Sequence, residues 1–197
     1  MTLVKDDLKA AVAQSAHEFA EKELTWGRDA GDTSLLDRDN GLVYILPMPS
    51  ERLQIPNWSV ITAEDVAVVD LEGNAVGTSS VQPTVELLTH LRIYQHRSDV
   101  QAIVHSNGKW TRVFAALRRS LPALMMEQFK YTGASVIRCA TLGPAGSDTV
   151  AMSVVECLGP YGKVALLAAH GAVCVGADMQ EAMSVAEIAE DMARLVS

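Results

Sequence analysis

Two of the five histidines, His105 and His170, stand at the C-terminal ends of apolar runs, in QAIVHSNG and ALLAAHGA, and each leads directly into a polar or glycine turn. Strand ends are where side chains from distant parts of a chain converge. A neutral imidazole carried there on a rigid strand is a good ligand for zinc and similar ions, at about 2.0–2.1 Å. The same positions also suit partly buried histidines satisfied by backbone groups, and spacing alone leaves both readings open. Glu86, in QPTVELLTH, opens a helix two residues after Thr84, an N-cap candidate. A carboxylate in a first turn is favoured by the helix dipole, which is a structural explanation; general acid–base work is the functional one. Glu86 and His90 are i,i+4 neighbours and read as an ordinary surface pair, while His17 and His96 read as solvated.

The elements that must position these residues follow from periodicity. Leu8, Val12, Ala16 and Phe19 recur at helical spacing between Leu3 and Leu24, and residues 26–41 read as a polar stretch rich in Gly and Asp. LVYIL at 42–46 reads as a strand, the proline-rich 47–57 as a loop, and 66–76 as a hairpin turning at Gly73. Beyond it the pattern predicts helices over 84–97, 107–118, 146–158 and 178–195, and strands over 101–105, 163–169 and 172–176. No linker or repeat divides the chain, so one α/β domain is expected over residues 1–197, with a central, mostly antiparallel sheet flanked by helices.

Composition narrows the function. With 49% hydrophobic residues in 197, the chain can bury a sizeable core, and a formal charge of -8 leaves no broad positive field for nucleic acid. No apolar run reaches the ~18 residues of a membrane span. The three cysteines, Cys139, Cys157 and Cys174, lie in apolar runs without a Cys-x-x-Cys pair, so buried thiols in the cytoplasm are expected.

The run from Ile61 to Asn107, ITAEDVAVVDLEGNAVGTSSVQPTVELLTHLRIYQHRSDVQAIVHSN, resembles the class II aldolase/adducin family of fuculose- and rhamnulose-phosphate aldolases and ribulose-phosphate epimerases. LRRSLPAL, ALLAAHGAVCVGADMQEAM and AEIAEDMARL extend the likeness over nearly the whole chain from Gly31. The resemblance implies a divalent ion, zinc ahead of manganese, held by His105, His170 and Glu86, with Glu86 doubling as acid/base on a metal-stabilised enediolate. Where the family has the second histidine of a His-x-His pair this chain has Asn107, a weaker ligand. Gly31, Asp32 and Thr84 fall at substrate-binding positions. However, the phosphate grip reads Gly31-Asp32-Thr33-Ser34, a related turn reads Leu46-Pro47-Met48-Pro49, and Thr84-Val85 replaces a Ser-Ser pair. An Asp32 carboxylate there would repel an anion, so an unphosphorylated hydroxy-carbonyl substrate is expected.

The tyrosine that the aldolases use on leaving groups falls at Met126, which has no proton to give. Two readings therefore stand: a metal-dependent lyase or epimerase-like enzyme, and a non-catalytic member of the kind adducin heads exemplify. The resemblance also implies a homo-oligomer, a tetramer, in which Trp26, Trp58 and Trp110 read as exposed apolar surface.

Overall fold

A computed structural model describes residues 4–26, 30–48, 58–77 and 80–197. In chain order it contains α1 (Asp6–Glu21), β1 (Asp32–Asp37), β2 (Leu42–Ile45), β3 (Ala67–Asp70), α2 (Leu87–His96), β4 (Ala102–Ser106), α3 (Thr111–Leu117) and β5 (Leu121–Pro122). There follow α4 (Met126–Thr132), β6 (Val136–Ile137), β7 (Cys139–Ala140), α5 (Asp148–Leu158), β8 (Val164–Leu167), β9 (Gly171–Gly176) and α6 (Met179–Leu195). Seven strands form one sheet in the order β3-β2-β1-β4-β9-β8-β7. Its neighbours are antiparallel except β7 and β8, and β5 pairs with β6 apart from it.

Both faces of the sheet are covered, which is why β2, β8 and β9 are buried at every position instead of alternating with solvent. Val12, Ala16 and Phe19 of α1 and Ala182, Val185, Ala189 and Met192 of α6 pack on one face against Leu42, Tyr44, Val104, Leu166 and Cys174. The strand residues of opposite parity, Val43, Ile45, Ile103, Leu167 and Val175, face Leu91, Ile93 and Tyr94 of α2 and Val150, Val154 and Leu158 of α5. Period-2 alternation thus sorts each strand into two cores.

The hairpin forms as its sequence predicts: Val69 bridges Ala75, Gly73 takes φ +90°, and the Asp70 carboxylate accepts from the backbone N–H groups of Glu72 and Asn74. The stretch 26–41 departs from expectation. It holds β1, hidden by its polar composition, because Asp32 and Ser34 point into a buried polar cluster rather than into solvent. The helix α4 and the strands β5, β6 and β7 also lay outside the pattern, being too short to show a period. Of the three tryptophans, Trp26 is 64% exposed, Trp110 is partly buried, and Trp58 is 1% exposed in the core, against the surface reading. His17 is half-buried and its Nε2 contacts the Ile61 carbonyl at 2.9 Å, whereas His96 is exposed. Most of the predicted loop, residues 49–57, lies outside the described residues.

Candidate functional site

The antiparallel register of β1 and β4 sets Asp32 directly opposite His105. Opposed residues of such a pair project from the same face, and here that face carries α2. Glu86 sits immediately before α2 and His90 lies one turn in, so the start of this helix lowers both side chains onto the Asp32–His105 pair. Glu86, His90, Asp32 and His105 are each 3% exposed or less, so the i,i+4 pair read as surface is interior.

Asp32 is the hub. Its Oδ1 stands 2.9 Å from His90 Nε2, its Oδ2 stands 3.5 Å from His105 Nδ1, and the Thr84 hydroxyl donates to Oδ2 at 2.8 Å. Thr84 Oγ1 in turn accepts from the Glu86 N–H at 3.3 Å, a local turn bond ahead of the helix; the N-cap position of α2 falls to Glu86 and not to Thr84. Gly31, at φ +87°, lets β1 close over the end of β4, because a Cβ there would come within 2.4 Å of the His105 carbonyl oxygen. The Asp32 carboxylate therefore does not line an open loop; its own neighbours occupy it.

His170 comes from the tight turn between β8 and β9, where Ala169 takes φ +58° and donates its N–H to the Ala115 carbonyl at 2.8 Å. The turn brings the His170 ring edge-on to His105, with centroids 4.7 Å apart at 88°, and sets its Nδ1 3.6 Å from Glu86 Oε1. The His170 side chain is 38% exposed, so it forms the outer rim of the cluster. Glu86 Oε2 accepts from Thr89 at 3.2 Å, while Oε1 is buried without a hydrogen-bond partner.

Asn107 is turned to the backbone. Its amide is satisfied when its nitrogen donates to the His170 carbonyl at 2.9 Å and its oxygen accepts from the Gly31 N–H at 3.1 Å. In that orientation it ties together β1, β4 and the His170 turn.

Charge follows the geometry. Burial pushes the Asp32 carboxyl up, but His90 and His105 overcome this and hold it well below the usual carboxylate range. Burial pulls the His105 imidazole down, and the facing Asp32 and then Glu86 raise it above its ordinary value. His170 is lowered, by burial first and by His105 second.

A cleft of about 150 Å³ opens on this cluster, lined by Glu86 and His170 together with Leu142, Val150, Leu167 and Ala168, and among the described residues no Lys or Arg lines it. Met126 is 77% exposed at the start of α4 and does not line the cleft.

The donor set fits a divalent ion. One carboxylate and two imidazoles are a usual zinc complement. Glu86 Oε1 and His105 Nε2 are buried atoms without hydrogen-bond partners, the condition a ligand would relieve. Among the described residues no three His, Cys, Asp or Glu side chains already stand grouped to grip an ion.

A profile described as the class II aldolase and adducin N-terminal domain matches residues 10–197. The chain belongs to the class II aldolase and adducin family. It is 32% identical over 158 residues to an L-fuculose phosphate aldolase of Methanococcus maripaludis, covering 80% of each chain. Over 192 residues it is 29% identical to a 3-oxo-tetronate 4-phosphate decarboxylase of Haemophilus influenzae, covering 95% of this chain and 85% of the relative. A solved L-fuculose 1-phosphate aldolase superposes with a TM-score of 0.88 at 26% identity, covering 98% of this chain and 86% of that one. Members of this family thus share the sheet and helices described above while their names record different reactions.

Within this family chain, sequence reasoning singled out Glu86, His105, His170, Thr84, Gly31 and Asp32, and the fold brings them to one end of the sheet. It missed His90, Thr89, Ser34 and Tyr94. The available signal was parity: Asp32, Ser34 and Leu36 share one face of β1, and His90 and Tyr94 are i,i+4 on α2.

Proposed function

We propose that the protein is a divalent-metal-dependent lyase-type enzyme acting on a small, unphosphorylated hydroxy-carbonyl compound. The observation that carries this reading is Glu86 Oε1, buried without a hydrogen-bond partner, 3.6 Å from His170 and at the wall of the cleft. Glu86, His105 and His170 would hold the ion, with zinc favoured because imidazole and carboxylate suit it. When bound, the ion supplies Lewis acidity that polarises a carbonyl and adjacent hydroxyl. Glu86 takes a proton from the substrate and returns it, with Thr89 and Thr84 fixing its side chain and backbone. The walls of Leu142, Val150 and Leu167 exclude water from the apolar side of the substrate.

Relatives such as the Methanococcus maripaludis enzyme are named for phosphate esters. This chain is read differently because no cation lines the cleft among the described residues and the grip position holds Asp32, with His90 Nε2 at 2.9 Å and the Thr84 hydroxyl donating to it. Reading the enzyme as cytoplasmic rests on three free cysteines, two half-buried and one buried. No helix among the described residues is long and apolar enough to cross a membrane. A homotetramer is supported by exposed Met126 and Phe129, i,i+3 neighbours on α4 that form an apolar pair suited to a subunit contact.

The test is calorimetric titration of the zinc-supplemented protein with fuculose or ribulose and with their phosphate esters, followed by turnover assays on whatever binds. Binding of the free compounds, with turnover suppressed by Glu86→Gln, is expected. Micromolar binding of the phosphate ester alone would overturn the substrate class. The second reading, a non-catalytic scaffold, is favoured by Met126, and it predicts neither metal uptake nor turnover.

A further inference from the structure

We propose that Asp32 is a positioning residue for His105. Its carboxylate takes the Nδ1 edge of the ring and leaves Nε2 as the edge offered to the metal ion, an assignment that rests on the metal-dependent reading above.

Three observations lead here. First, the β1–β4 register makes Asp32 and His105 a directly opposed pair on one face, and Nδ1 is the ring nitrogen that faces the carboxylate, 3.5 Å from Oδ2. Second, Asp32 is enclosed by its own neighbours: Thr84 donates to Oδ2 with His105 Nδ1 3.5 Å away, His90 Nε2 stands 2.9 Å from Oδ1, and the residue is 2% exposed. Third, Asp32 is itself held by a buried chain. Ser34 Oγ lies 2.7 Å from both Tyr94 Oη and His90 Nδ1. The order that buries a single charge has Tyr94 donating to Ser34, Ser34 donating to His90 Nδ1, and His90 carrying its proton on Nε2, toward Asp32.

This arrangement accounts for two sequence departures together. A ring whose Nδ1–H meets a carboxylate is fixed in one tautomer, and its Nε2 becomes a more basic ligand. Asn107, standing where a second imidazole is expected, spends its amide on the backbone. The acidic residue at the grip position therefore strengthens one of the remaining histidine ligands, a role that an amide at position 32 would fill poorly.

The experiment uses the whole chain with 15N-labelled histidine, metal-free, in long-range 1H–15N correlation spectra at mildly alkaline pH, where the raised His105 ring is neutral. The expected spectrum shows His105 protonated on Nδ1 with a bare Nε2. In Asp32→Asn the His105 signature shifts toward the other tautomer, and affinity for Zn²⁺ measured by chelator competition falls about ten- to a hundredfold. A native His105 protonated on Nε2 overturns the proposal, as does unchanged affinity in a folded Asp32→Asn. So does a Co²⁺ absorption spectrum showing that this variant loses an oxygen ligand, since Asp32 would then bind the ion itself. If Asp32→Asn does not fold, the native tautomer decides. A native chain that takes up no zinc defeats the metal reading, yet the metal-free tautomer still tests Asp32 separately.

Discussion

The two ends of the sheet both bury charged groups and treat them differently. At the far end, Arg97 donates through Nη1 to the Gly159 and Gly162 carbonyls, each at 2.9 Å, and through Nε and Nη2 to both oxygens of Asp99. Arg38 closes over the Arg97 and Val100 carbonyls, and Asp37 is held by Lys5 and Asn40. At the near end, Glu86 Oε1 and His105 Nε2 are buried without hydrogen-bond partners. Unsatisfied buried polar atoms cost stability, so a fold that satisfies one end and leaves the other open marks where binding is meant to occur.

That contrast can be broken from either side. The largest effect is expected from His170→Ala, which removes the rim ligand. Zinc uptake should fall below detection by chelator competition while the unfolding midpoint barely moves, because the side chain is 38% exposed. Retained tight uptake in this variant would mean that the near end is not the metal site. Next comes Glu86→Gln, expected to slow turnover by about 10²–10⁴-fold with stability unchanged or raised, since it neutralises a buried carboxylate that lacks a full set of partners. A variant that is destabilised yet keeps its turnover would reverse the roles of the two ends.

At the far end the signs exchange. Arg97→Met leaves the Gly159 and Gly162 carbonyls without donors and should cost roughly 3 kcal/mol in urea unfolding, with zinc affinity unaltered. The smallest effect concerns acid. Burial raises the Asp37 carboxyl, but the hydrogen bonds from Lys5 and Asn40 outweigh it and hold the folded value below the ordinary one. Its stabilisation is therefore complete above the unfolded carboxylate pKa of about 3.9 and is lost as pH falls through the lower folded value. Asp37→Asn should lower the neutral plateau of the unfolding-midpoint profile and flatten its acid limb, because the stabilisation lost in acid is then absent throughout; an unchanged profile would show that Lys5 and Asn40 contribute nothing there.

Much of this was legible in the sequence, and the failures share a cause. His105 and His170 stood out because apolar runs stop at them and Glu86 because it opens a helix, and strands β4, β8 and β9 with helix α6 formed where periodicity placed them. The strand β1 was hidden because its inward positions, Asp32 and Ser34, are polar, so hydrophobic alternation had nothing to register. His90 was taken for a surface partner of Glu86. Helical spacing gives two residues a common face but does not say that the face is buried, and here the first turn of α2 covers a polar cluster. Asn107 was weighed as a ligand because only the folded chain brings the His170 carbonyl and the Gly31 N–H within its reach.

The central claim is that the open end of the sheet holds a divalent ion. Elemental analysis of the chain purified without chelator and supplemented with zinc tests it most directly. About one equivalent per chain, lost in His170→Ala, is the predicted result, whereas less than about a tenth of an equivalent in the native protein would contradict it.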